Sequence, residues 1–187
     1  MTTTHNPFKQ MNGFSMQNGL IVGIWVLAAQ YAMVLSFNYS ILSLVSAIML
    51  LFTPILIFIL SKGFRNAVAS QGYFTLTQGF LHTFLTMFYA SVWVALGVFV
   101  YFAYIDKGYV FDAYLEYLKR PEMQELLAQK EFNEQITASL QGMTIEEAIE
   151  NLRFVSPANF AGMIFYTNLM VSPIMSLFIA IFLRKNK

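Results

Sequence analysis

The chain of 187 residues is 57% hydrophobic and 11% charged, contains no cysteine and carries a formal net charge of +1. Soluble domains carry about 25% charged residues, so this composition belongs to the membrane class. It excludes a disulfide, a thiolate nucleophile and a Cys-ligated metal, and eleven Lys and Arg are too few for a nucleic-acid surface.

Residues 1–17 are polar, with Pro7, Gly13 and Lys9 as the one charge, and are predicted to form a cytoplasmic N-terminal segment. Residues 18–36 are predicted as the first span. A cleaved leader is not expected, because the apolar run continues through Tyr31 to Leu35 and only Lys9 precedes it. Gly19 and Gly23 form a GxxxG pair that lets a neighbouring backbone come close. Gln30, deep in this span, is expected to face another helix, since an unpaired amide in lipid costs several kcal/mol. The connection at Phe37 to Ser40 is too short for anything but an antiparallel hairpin.

The second span, 40–60, is the most apolar stretch. Fourteen of the twenty residues from Ile41 to Leu60 are Leu, Ile, Val or Phe, favouring insertion by about 4 to 8 kcal/mol. Pro54 removes one backbone donor, with Thr53 beside it to help satisfy the local carbonyls. A loop over 61–72 carries Lys62 and Arg65. The third span is predicted over 78–105; its 28 residues, at about 1.5 Å each, exceed the hydrocarbon thickness and require tilt or projection. Tyr101, Phe102 and Tyr104 mark its far end.

Residues 106–158 form an acidic insert, read as three helical pieces: one from about Tyr109 to Lys119, one from Pro121 to just before Gly142, and one announced by the capping box Thr144-x-x-Glu147. The fourth span covers 159–183, with Asn168 and Pro173 in its interior. Ser172, Ser176 and Ala180 recur every fourth residue as a small-residue packing stripe. Residues 184–187 are a basic tail. The fold class is therefore all-α: a four-transmembrane-helix bundle with a small helical extracytoplasmic insert between spans three and four.

All ten acidic residues lie between Asp106 and Glu150, and the segment 106–157 that holds them carries five basic ones. The rest of the chain holds six basic residues and no acid. Four spans put Lys9, Lys62, Arg65, Arg184, Lys185 and Lys187 on one side. The positive-inside rule makes that side cytoplasmic, with both termini there and the acidic insert outside.

Little in the sequence resembles catalysis. No Asp, Glu, Lys or Arg lies inside the predicted spans; His82 is the sole candidate there, and Gln78 and Thr86 lie on its helical face. It is read either as a functional head-group or proton-binding histidine or, more simply, as one hydrogen-bonded to a neighbouring helix. Glu122, Glu125, Glu131 and Glu134 lack metal-ligand spacing and read as a solvated face. Ser139 and Ser156 have no base motif, and there is no phosphate loop or dinucleotide fingerprint. No cofactor and no metal are expected. Lys62, Arg65, Gln78 and His82 form the candidate contact for a partner or a lipid head group.

Arg65 ahead of Gln71-Gly72-Tyr73, then Thr77-Gln78-Gly79-Phe80, Tyr104-Ile105-Asp106, the acidic insert and the basic tail form an ordered pattern from about Gln17 onward. In this the chain resembles an uncharacterised four-span bacterial inner-membrane family, frequent in Bacteroidetes and known only as a domain of unknown function. Members of that family often have Pro after the position of Asp106, where this chain has Lys107. The resemblance implies a bacterial inner-membrane location and neighbourhood with polyprenyl-phosphate glycosyltransferases; it supplies no activity and no catalytic residues. The reading that results is a non-enzymatic accessory or scaffold subunit in the bilayer, binding another integral membrane protein or itself. The alternative is a small oligomeric transporter or lipid-handling protein, with Pro54, Pro173, Gln30, Asn168 and His82 lining a polar path.

Overall fold

The computed structural model describes residues 7–68 and 73–185. They form helices α1 (Pro7–Leu35), α2 (Ile41–Val68), α3 (Leu76–Val100), α4 (Tyr109–Leu118), α5 (Pro121–Leu127), α6 (Lys130–Ser139), α7 (Ile145–Arg153) and α8 (Pro157–Leu183), with a π-helical turn at Tyr101–Ile105. No strand occurs among the described residues, only an isolated bridge between Phe74 and Lys185. Four helices are long and apolar enough to cross a membrane: Phe8–Leu35, Ile41–Val68, Leu76–Ile105 and Pro157–Leu183. The shortest has 27 residues, about 40 Å at 1.5 Å per residue. The chain divides into two compact units, Met1–Val98 with Ala161–Lys187, and Phe99–Phe160.

The first unit is a four-helix bundle. In a bilayer, burying an apolar side chain between helices gains little over lipid contact, so close packing and interhelical hydrogen bonds hold such a bundle together. Both are present. Trp25 Nε1 donates to the Met49 carbonyl at 2.9 Å, tying α1 to α2. Ser61 and Thr83 hydroxyls share a 3.2 Å bond between α2 and α3. A Cβ on Gly79 would stand 3.3 Å from the Cα of Ala180, so α3 and α8 nearly touch there.

Several boundaries differ from the sequence reading. α1 starts at Pro7, eleven residues before the predicted span. Met11, Ser15, Asn18 and Val22 are all buried at spacings of four, three and four, so one face of this helix is buried although half of it is polar. α2 runs on to Val68, through residues predicted as loop, because Ser61 and Phe64 continue its buried face after Ile57. The second helical piece of the insert is two helices, parted at Ala128 and Gln129, with no Gly or Pro to mark the break.

In the second unit, the Asp106 carboxylate accepts from the Gly108 and Val110 amides at 3.0 and 3.1 Å and starts α4. Lys107 and Gly108 sit at φ +48° and +89°. Proline is locked near φ −65°, so it cannot replace Lys107 in this turn. Pro121 and Thr144 begin their helices as their sequence signals indicate, the latter with both arms of its capping box formed.

Candidate functional site

His82 lies wholly inside the bundle. Its ring stacks on Phe64 at 4.1 Å and nearly parallel, and its Nε2 lies 3.4 Å from the Asn18 amide. Ser15 donates to the His82 carbonyl at 3.2 Å. Residues from α1, α2 and α3 thus meet around one imidazole. Nδ1 of His82 and Oγ1 of Thr86, also buried, find no hydrogen-bond partner among the described residues. The arrangement suits a polar pin between helices. It cannot reach a head group directly, because no part of the ring is exposed.

Gln78 does not join His82. Its Oε1 accepts from the Thr75 amide at 2.9 Å, and its own amide donates to Thr75 Oγ1 at 3.1 Å. Thr75-x-x-Gln78 is a capping box at the start of α3, with the Gln78 side chain turned back along the chain. Gln78 therefore stands apart from His82, and the two residues serve different purposes.

Lys62 is exposed on α2. Arg65 is half-buried, and its guanidinium donates to the Leu183 carbonyl at 3.3 Å. That carbonyl belongs to the unpaired C-terminal end of α8, where a cation is favoured. Of the four candidate contacts, the structure brings His82 inward, commits Gln78 to a cap and Arg65 to a helix end, and leaves Lys62 in the open.

A cleft that the sequence reading missed lies at this end of the unit. Residues 73–77, Arg184 and Lys185 line an open cleft of about 500 Å³. The exchange of two backbone hydrogen bonds between Phe74 and Lys185, at 3.0 and 3.1 Å, holds its walls together. The available signal was the pair of cations directly after the last apolar residue of α8, but the Phe74–Lys185 pairing is non-local and leaves no local pattern.

The packing candidates lie where backbones approach. A Cβ on Gly19 would stand 2.5 Å from Tyr89 Cβ, and one on Gly23 2.8 Å from Trp93 Cβ, so both glycines face α3. Ser172, Ser176 and Ala180 are buried on α8. Ser172 bonds back to the Asn168 carbonyl, and the Ser176 hydroxyl points at the Met87 sulfur of α3.

In the second unit a cleft of about 260 Å³ is floored by Phe102, Phe111 and Phe160, with Arg153 and Asp106 at its edge. Asp112 holds the Arg153 guanidinium and raises its pKa above the ordinary value, and Glu150 lies 3.2 Å from Nε. Asp106 is engaged by two amides and Arg153 by two carboxylates, so both ionic groups of this cleft already have partners. No cluster of three or more potential metal ligands occurs among the described residues.

Residues 17–185, from the middle of α1 to the Lys185 bridge, match DUF4199, described as a protein of unknown function. The chain belongs to that family. No curated protein and no solved structure matches it. DUF4199 membership leaves the activity open, so function rests on the residues themselves.

Proposed function

We propose that this DUF4199 protein is a non-enzymatic scaffold subunit of the bacterial inner membrane, with both termini cytoplasmic, that binds another integral membrane protein. The observation carrying this reading is the way polar groups inside the first unit are used. Ser15, Asn18, Ser61, Thr83 and His82 bind one another across three helices, a bundle built to hold its shape. Transport along a polar path is less well supported. Of its proposed lining residues Pro54, Pro173, Gln30, Asn168 and His82, the His82 ring is wholly buried and stacked on Phe64, and the Asn168 carbonyl takes a bond from Ser172. The segregation of ten acids into 106–150 supports the orientation. An envelope polyprenyl-phosphate glycosyltransferase is the partner class that the family resemblance suggests.

The test is purification of the tagged full chain from native membranes in mild detergent, followed by identification and quantitation of what accompanies it. The proposal expects one integral membrane protein in near-equal amount. Recovery of the chain alone, together with solute flux through it in proteoliposomes, would overturn it.

A further inference from the structure

The basic cleft at the start of α3 has the chemistry of an anion site. Arg184 and Lys185 both line it and are exposed. The unit to which they belong contains no Asp or Glu at all, since every acid of the chain lies between Asp106 and Glu150. Their charge is therefore unmatched by any Asp or Glu of the bundle. Arg65 adds a third cation one residue away, fixed on the Leu183 carbonyl.

The position narrows the ligand. Arg184 and Lys185 directly follow Leu183, the last residue of one membrane-length helix, and Leu76 begins another. A cleft between such ends sits at head-group level, with Tyr73, Phe74 and Leu76 supplying an aromatic and apolar wall. The capping box satisfies the amides of Thr75 and Gln78, leaving the first amides of α3 at Leu76 and Thr77 without an intrahelical carbonyl. An arginine binds phosphate oxygens in pairs, and a lysine adds a point charge.

We infer that this cleft binds the phosphate group of an anionic phospholipid, with Arg184 and Lys185 as its cationic ligands and Thr77 at its edge. The inference goes beyond the scaffold reading and does not depend on a protein partner. Bound lipid would fix the junction of α3 and α8 against the cytoplasmic leaflet, whose anionic surface already attracts nearby cations.

The experiment is native mass spectrometry of the full-length protein in detergent, titrated separately with phosphatidylglycerol, phosphatidylcholine and inorganic phosphate. Wild type is expected to retain phosphatidylglycerol in preference to phosphatidylcholine, and to keep it in excess inorganic phosphate. Arg184→Gln with Lys185→Gln should weaken phosphatidylglycerol binding about tenfold or more. Lys119→Gln with Lys130→Gln, an equal change of charge in the second unit, should leave it unchanged. Thr77→Glu keeps both cations and places a carboxylate in the first turn of α3, where it favours the helix. It should weaken binding similarly, and it stands in if the double change fails to fold. Equal retention of the two lipids, phosphatidylglycerol binding unaffected in a folded cleft variant, or occupation by inorganic phosphate with no lipid preference would each overturn the inference.

Discussion

The His82 ring is gripped between Asn18 of α1 and Phe64 of α2. An imidazole inside an apolar segment is conspicuous in the sequence, and the simpler reading, a bond to a neighbouring helix, matches the Asn18 contact. Its neighbours were hidden: Ser15 and Asn18 lie in a stretch that reads as a polar tail, and Phe64 in one that reads as loop. Replacing His82 with Leu leaves the Asn18 amide buried without its partner, a loss of about 1 to 3 kcal/mol. Thermal unfolding in detergent should show a lowered midpoint, and adding Asn18→Leu should restore part of it, because the orphaned amide goes too. A midpoint unmoved by His82→Leu would mean that the pin carries no stability. Lys107 offers a second residue-scale test. At φ +48° it is strained relative to glycine, by about 1 to 2 kcal/mol. Lys107→Gly should therefore raise hydrogen-exchange protection over α4, and Lys107→Pro should abolish the turn and lower it. The reverse order would contradict the conformation seen here.

At the scale of elements, the apolar lengths of the four long helices are legible because membrane insertion demands them. Their ends are less so, because polar residues with tertiary partners extend α1 and α2 beyond the apolar runs. The start of α3 follows a legible rule: Thr75-x-x-Gln78 is the same pattern as Thr144-x-x-Glu147, although Gln78 also shares a helical face with His82, and that spacing draws attention away from the cap. Thr75→Ala should remove the cap at a cost of about 1 kcal/mol. Faster amide exchange confined to the first turn of α3 is the expected result; unchanged exchange would show that the Phe74–Lys185 bridge alone sets that end. On α1, Gly19→Leu puts a side chain where even a Cβ would stand 2.5 Å from Tyr89. The helices must part, and the unfolding midpoint should fall by more than for His82→Leu. A neutral Gly19→Leu would show that α1 and α3 do not pack as described.

Across the whole molecule, charge is the organising quantity. The first unit holds six basic residues and no acid, and all ten acids fall within the second. This separation was fully legible, because charge needs no folding to be counted. What that first unit does with its positive end was not, because the cleft exists only once α3 and α8 are joined through Phe74 and Lys185. The scaffold proposal and the phospholipid site both require that end to face the cytoplasm. The absence of cysteine makes the test clean. Single cysteines at Ala67 and Ser139, both exposed, can be labelled in intact spheroplasts with a membrane-impermeant maleimide. The account predicts that Ser139→Cys labels at once and Ala67→Cys only after permeabilisation. Labelling of Ala67→Cys in intact cells, with Ser139→Cys protected, would contradict it.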